Sequence, residues 1–350
     1  MKNIFYNVST LSYLPQAVTC LKSINDTSKN KELMLFLIDV SSKDRLQIEN
    51  YLQKFGLHKT KIVLYDDLIS DSKIFKCAFN YFSALEICTL AKISAAKYIL
   101  KKNRENKINI IYCDTDIYFF NEPKLVYPND ETVMVLTPHN IILERNVEEI
   151  FERFKMGWLN AGFFFIKSGH RAEKIIDWLE YTVSNFGFDA AEHTLFVDQL
   201  SISALPCVFP LETYISGDKR LNVAYWNLSE RNIRYSNDCF YVGNKKLSFF
   251  HFSGLQLNDF KKITKHAEVD LNPELIRLIK NYQEKWVNSY KYFEEIQNEL
   301  TTSFICKNQL RERIEKYKIQ MGSNSKWVNH FSRTKKLEIF LSSLLKKVRS

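Results

Sequence analysis

Two aspartates, Asp114 and Asp116, close the apolar run in "INIIYCDTDIYFFNEP" and stand one residue apart. In an extended chain successive side chains alternate faces, so positions i and i+2 point the same way. Two carboxylates on one face can share a hard divalent cation, which takes oxygen ligands and often bridges to substrate phosphates. The alternative is a strand end closed by two solvated acids. The pattern alone does not separate the two. A chain with 16 aspartates carries about one Asp-x-Asp by chance.

Three other apolar stretches carry polar residues that need a reason. "LSFFHFSGL" ends in His251 and Gly254. A histidine in such a strand serves either as a hydrogen-bonded core residue or as a ligand, since neutral imidazole binds Mn2+ alongside oxygen donors. Gly254 would let backbone approach a bound group closely. "MGWLNAGFFFIKS" places Asn160, Ala161 and Gly162, small and polar, at the head of a strand; turn residues are the plain alternative. "HTLFVDQLSISAL" sets Asp198 and Gln199 inside an apolar, helix-like pattern, where an N-cap is the plain reading of Asp198. No glycine pair forms Gly-x-Gly, and neither a Walker-type GK[ST] nor a Gly-x-Ser-x-Gly occurs. The usual dinucleotide, P-loop and α/β-hydrolase signatures are therefore absent.

The elements that must position these residues follow from periodicity. "NIFYNVS" (3–9) and "LMLFLIDV" (33–40) are strand-like and flank a segment with helical spacing of Leu14, Val18, Leu21 and Ile24. "KIVLYDD" (61–67) reads as a further strand, and residues 79–102 as one long helix ending in lysines, as a helix C-terminus prefers. "INIIYCDTD" is apolar on both faces, the mark of a central strand covered on both sides. "TVMVLTPH", "AGFFFIKSG" and "LSFFHFSG" are more strand candidates, with a helix predicted over "HRAEKIIDWLEYTVSNF". Such alternation predicts an α/β fold with a mostly parallel sheet, and ligands in such sheets sit at the carboxyl ends of the strands.

Composition sets the outer bounds. Of 350 residues 45% are hydrophobic and 14% aromatic, enough for a sizeable core. The seven cysteines are scattered and never in C-x-x-C spacing, which argues against a disulfide framework or thiolate zinc site and fits a reducing cytosol. The first residues lack the long apolar region of a signal peptide, and no apolar run is long enough to span a bilayer, so a cytoplasmic protein is expected. From about residue 271 the character changes to a helical extension, with Asn272 and Pro273 at cap and first-turn positions. Residues 301–350 hold 12 Lys/Arg against 3 Asp/Glu, the whole of the +9 excess. Interleaved with Trp327, Phe331, Phe340 and leucines, that charge suits docking on an anionic inner-leaflet surface; a solvated helix packed on the body is the alternative. Nucleic acid is not expected as a partner, because the charge is joined to no recognition module.

Taken together and in order, "IIYCDTDIYFF", "WLNAGFFFIKS", "FVDQLSISAL", "LNVAYWNL" and "FFHFSG" followed by "ITKH" resemble the GT-A-fold glycosyltransferases of the family 8 type and their bacterial surface-polysaccharide relatives. The resemblance covers roughly residues 1–268. It implies a Rossmann-like GT-A catalytic domain over 1–270, followed by the basic helical region 271–350. It also implies a Mn2+ or Mg2+ cofactor, a nucleotide-diphosphate sugar donor of the UDP type, a glycan or lipid-linked acceptor, and retention at the anomeric carbon. Under it Asp114, Asp116 and His251 are the metal ligands, with Asp114 also near the donor ribose. Asn160, Ala161 and Gly162 line the donor sugar, and Asp198 and Gln199 lie near the anomeric carbon. Lys92 meets the diphosphate or the metal-site acids, and Gly254 and Lys265 face the diphosphate. Tyr6 and Asn7, in the first strand-like run, join the donor-binding candidates. One departure is plain: the family's lysine three residues beyond the glycine of the histidine strand is Leu257 here, and lysines follow only at 261, 262 and 265. A nucleotide-sugar-binding protein without turnover is the alternative function.

Overall fold

The computed structural model describes residues 1–142, 147–257, 259, 262–302 and 312–316. The chain opens with β1 (Lys2–Ser9), α1 (Leu14–Thr27), β2 (Lys31–Leu37), α2 (Arg45–Lys54) and β3 (Lys61–Leu64). Each of these strands pairs in parallel with its neighbour. The strand expected over 61–67 stops at Leu64, because Asp67 turns its carboxylate back to the Leu64 N–H at 3.1 Å. A short helix, α3 (Tyr65–Asp71), starts there instead, with Asp66 and Asp67 in a first turn where negative charge is favoured.

The single helix expected over 79–102 is two. Residue 79 ends α4 (Lys73–Phe79), and α5 (Ala84–Lys102) begins after a capping box. Ser83 Oγ accepts from the Glu86 N–H at 3.4 Å, and Glu86 accepts from the Ser83 N–H at 2.7 Å. The chain then returns across the sheet to β4 (Ile108–Cys113), buried at every position and parallel to β1 on the side away from β2.

A tight turn leads to β5 (Ile117–Phe119), then β6 (Met134–Pro138), α6 (Val147–Met156) and β7 (Leu159–Lys167). β7 runs antiparallel between β4 and β6. After α7 (His170–Phe186), a small hairpin of β8 (Asp189–Ala190) and β9 (Leu195–Phe196) leads to α8 (Gln199–Val208) and β10 (Thr213–Ile215). The central sheet has seven strands in the order β10-β6-β7-β4-β1-β2-β3, and only β7 opposes the rest. This is the mostly parallel α/β sheet predicted from the sequence.

Alternate residues of the strands feed two cores. Ile4, Tyr6, Ile110 and Phe164 face the layer holding α5 and α7, while Phe5, Ile111, Phe163 and Phe165 face the layer holding α1 and α2. A smaller unit follows: β11 (Ile233–Ser236), β12 (Cys239–Val242) and β13 (Lys245–Lys246) form a meander, and β14 (Phe249–His251) pairs antiparallel with β5. "LSFFHFSG" is thus a strand, but in a two-stranded ribbon beside the main sheet. α9 (Pro273–Glu294) starts as expected, with Asn272 accepting from the Leu275 N–H at 2.8 Å. It lies against the body: Tyr282 stacks on Phe252 with centroids 4.1 Å apart, and the Tyr51 hydroxyl donates to the Ser289 carbonyl at 2.8 Å. The basic segment expected to end the chain lies outside the described residues, as does Lys261. Among the described residues no helix is long and apolar enough to cross a membrane, and the six described cysteines are free thiols.

Candidate active site

The chain reverses its direction of strand addition between β1 and β4, and such a switch point opens a crevice at the carboxyl edge of a parallel sheet. β4 delivers Asp114 to that edge. The Asp114 N–H donates to the Gly162 carbonyl at 2.8 Å, and the Ile117 N–H closes the turn on the Asp114 carbonyl at 3.2 Å. Because β7 is antiparallel to β4, its start, not its end, stands here, which brings in Asn160, Ala161 and Gly162. The β5–β14 ribbon sets His251 opposite Ile117, next to Asp116.

Three side chains therefore converge from segments far apart in sequence. His251 Nε2 is 3.1 Å from Asp116 Oδ1 and 3.9 Å from Asp114 Oδ2. One ligand atom from each of the three lies within 4.8 Å of the others. The Nδ1 of His251 is 3.1 Å from Asn222 Oδ1, so Nδ1–H donates there and Nε2 is left facing the acids. Burial, the largest influence on His251, disfavours its charged form; Asp116 and then Asp114 overturn that and raise its pKa. Burial likewise works against the charge of Asp116, and His251 reverses the sign, lowering its pKa. A cation at this place would compete with a proton for the His251 Nε2.

The surroundings leave room for such a cation. A Cβ at Gly162 would lie 2.5 Å from His251 Cε1, 2.7 Å from Asp114 Oδ2 and 2.9 Å from Asn160 Oδ1, so only glycine leaves the cradle open. Two carboxylates and an imidazole make a mixed oxygen and nitrogen set that suits Mn2+. The residues present fit the group.

Lys92, from α5, reaches the same edge from below. Its Nζ is 2.8 Å from Asp198 Oδ2 and 3.7 Å from Asp114 Oδ1, donates to the Ala161 carbonyl at 3.0 Å, and lies 4.6 Å over the Tyr112 ring. Burial opposes its charge, but Asp114 and Asp198 hold its pKa above the usual lysine value. Asp198 is not inside a helix, as its sequence context had suggested: it precedes α8, and Val197 before it is held at φ 41°, a strained value for a β-branched residue. Its side chain caps no helix N–H and turns to Lys92 instead. Burial pushes its pKa up, with Lys92 acting against the rise. Gln199 Nε2 donates to the Met156 carbonyl at 2.7 Å, which ties α8 to the end of α6.

Gly254 has φ 75°, and a Cβ there would meet His266 Cδ2 at 2.4 Å. The Lys265 N–H donates to its carbonyl at 2.9 Å, and the Lys265 side chain is exposed beside it. Lys262 pairs with Glu268 at 2.6 Å, so of the two lysines described here Lys265 is the one tied to the glycine turn. Tyr6 and Asn7 sit under the site and do not line it. Both are fully buried in β1; the Tyr6 hydroxyl donates to the Lys92 carbonyl at 3.0 Å and Asn7 Nδ2 to the Cys113 carbonyl at 2.5 Å.

Three residues of the site were not singled out from the sequence: Asn222, Trp226 and His139. Asn222 sits at φ 55°, a left-handed conformation that asparagine tolerates and that sequence spacing does not display. Trp226 packs edge-on against His251 with centroids 5.3 Å apart. His139 follows the last residue of β6 and faces Asn160 across 3.3 Å. A polar residue just past an apolar strand was the available signal for it.

No family model matches the chain. Two similar proteins come from Bacillus subtilis strain 168, both described as uncharacterized. YfnF is 21% identical over 283 residues, covering 77% of this chain and 88% of its own. YfnD is 20% identical over 299 residues, covering 84% and 91%. Among solved structures, the galactosyltransferase LgtC in complex with donor and acceptor sugar analogs superposes with a TM-score of 0.50 at 13% identity, over 81% of this chain and 95% of that one. At that identity the likeness is one of architecture: the chain has the GT-A α/β fold, a mostly parallel sheet with the Asp114, Asp116 and His251 cluster at its carboxyl edge.

Proposed function

We propose that the chain is a cation-dependent glycosyltransferase, moving a sugar from a nucleotide-diphosphate donor of the UDP type to a glycan or lipid-linked acceptor, with retention at the anomeric carbon. The convergence of Asp114, Asp116 and His251 on one cradle, kept open by Gly162, carries this reading. When bound there, Mn2+ or Mg2+ would neutralise negative charge developing on the diphosphate leaving group. The chain's own groups do the rest. Asp114 and Asp116 would hold the cation, with Asn222 keeping the His251 Nε2 turned toward the same place. Lys265, beside the Gly254 turn, supplies a second positive charge for the diphosphate.

Transfer gives the sugar oxocarbenium character, which a nearby carboxylate or amide oxygen stabilises. Asp198 and Gln199 are the groups for that role. Lys92 pairs with Asp198, offsetting part of the cost of burying its charge, and braces Ala161 in the strand that lines the donor sugar. Gln199, its amide nitrogen committed to Met156, presents its carbonyl oxygen to a sugar hydroxyl.

Mn2+-stimulated hydrolysis of UDP-sugars, with thermal shift as a binding readout, tests the proposal. The wild-type chain should show a turnover that EDTA abolishes, and Asp116→Asn should lose it by at least about a hundredfold while its unfolding remains cooperative. Binding of Mn2+ and UDP without any turnover would favour the sugar-nucleotide-binding alternative. Full activity in Asp116→Asn would overturn the cation assignment.

A further inference from the structure

The two carboxylate oxygens of Asp114 face different surroundings. Oδ2 faces the cation cradle: it is 3.9 Å from His251 Nε2 and would be 2.7 Å from a Cβ at Gly162. Oδ1 is turned the other way, 2.5 Å from the Tyr112 hydroxyl and 3.7 Å from Lys92 Nζ. A carboxylate only accepts hydrogen bonds, so the Tyr112 O–H is the donor.

The sequence brings this pair together. Tyr112 and Asp114 stand two positions apart at the end of β4, so their side chains leave on the same face. Tyr112 is 3% exposed, and its ring is held on several sides. It stacks on Phe164 of β7 with centroids 5.2 Å apart, tilts against Tyr6 of β1 at 5.1 Å, and lies 4.6 Å beneath the Lys92 ammonium. Residues 6, 112 and 164 are register partners on three adjacent strands, which fixes the group from the backbone up. The Tyr6 hydroxyl donates to the Lys92 carbonyl and ties the same group to α5. The Tyr112 hydroxyl is therefore a donor held in place by packing. Asp114 is different: its side chain is 33% exposed, and the last torsion of an aspartate is soft. Its orientation needs a partner, and Tyr112 is placed to be one.

How many oxygens a carboxylate offers bears on which cation it holds. Ca2+ takes about six to eight oxygen ligands and accepts both oxygens of one carboxylate. Mg2+ keeps a near-octahedral shell, with one or two carboxylates and the remaining places left to water or substrate phosphates. Mn2+ also takes octahedral oxygen sets. We propose that Tyr112 is a positioning residue that withholds Asp114 Oδ1 from the cation, so that Asp114 offers Oδ2 alone and the site favours Mn2+ or Mg2+ over Ca2+. Lys92 acts in the same sense, because an ion held by both oxygens would lie nearer its ammonium, and like charges repel. The proposal rests on the cation reading of the site and deepens it by naming what sets the choice of ion.

Titration of Mn2+ and, separately, Ca2+ onto the full chain, with and without UDP, tests this through affinities alone. Tyr112→Phe keeps the ring and its packing and removes only the hydroxyl. It should reduce the preference for Mn2+ over Ca2+ by at least about tenfold, the usual effect of losing a group that orients a metal ligand. Cooperative unfolding of the variant in EDTA, near the wild-type midpoint, confirms that the fold is kept. p-Aminophenylalanine at position 112 restores a donor at the same place and should return the preference to the wild-type value. An unchanged preference in Tyr112→Phe overturns the positioning role. So does an equal fall in both affinities, which packing alone would cause, or failure of the p-amino analogue to restore the preference. A wild-type chain that takes up no Mn2+, with or without UDP, overturns the role together with the cation reading beneath it.

Discussion

Gly162 is the residue on which the cation cradle depends. Three side-chain atoms lie under 3.0 Å from where its Cβ would be, and two belong to proposed ligands. Gly162→Ala should weaken Mn2+ binding by about 10–100-fold, the usual cost of disturbing the support of a metal site, with the change read by Mn2+ titration followed by electron paramagnetic resonance. Asp39 makes a different point. It is buried just past β2, accepts from the Leu11 N–H at 2.8 Å, and burial raises its pKa to about 6. A carboxyl whose pKa is higher in the folded state binds more protons there than in the unfolded chain between about pH 4 and 6. Its contribution to stability therefore falls as pH rises through that window, by at most about 3 kcal/mol. Urea unfolding at pH 4.5 and 7 should show Asp39→Asn losing this slope and gaining stability relative to the wild type at the higher pH.

At the scale of elements, the start of α5 joins local and distant parts of the chain. Glu86 is fully buried and accepts from the Ser83 N–H, from the Asp189 N–H at 3.0 Å and from Arg313. Ser83→Ala removes one cap and should cost about 1 kcal/mol in urea unfolding. Glu86→Ala leaves the Arg313 guanidinium buried without this partner and should cost about 3–5 kcal/mol. The capping box was readable in the sequence as Ser83 followed by Glu86, yet the apolar pattern of residues 79–82 masked it and stretched the expected helix backward. The β4 strand and its two acids were legible because apolar residues on both faces and an i, i+2 pair are local signals. The pairing of β14 with β5 was not, because the partner strands are separated by the whole of β6 to β13. Asn222 escaped for a related reason: its role depends on a positive φ and a contact to His251 that spacing does not encode.

Across the whole molecule, the described body and the basic end of the chain separate in composition. The +9 charge resides in residues 301–350, and the sequence there interleaves lysine and arginine with tryptophan, phenylalanine and leucine. If that region serves an anionic surface, deleting residues 322–350 should abolish co-sedimentation with phosphatidylglycerol vesicles while leaving UDP-sugar hydrolysis in solution intact. Unchanged sedimentation would remove membrane docking by this segment. The helix that begins near residue 271, where the sequence changes character, packs its Tyr282 on Phe252 just past β14.

The β5–β14 ribbon has a consequence for motion. Asp116 ends the turn that leads into β5 and His251 ends β14, while the main sheet holds neither strand. The Phe252 N–H donates to the Asp116 carbonyl at 2.8 Å, so the two proposed ligands sit on neighbouring rungs of a narrow ladder. A two-stranded ladder is weak by itself. An ion shared by both rails would act as a clasp, and amide hydrogen exchange in the ribbon should slow on adding Mn2+ far more than in β1 or β4.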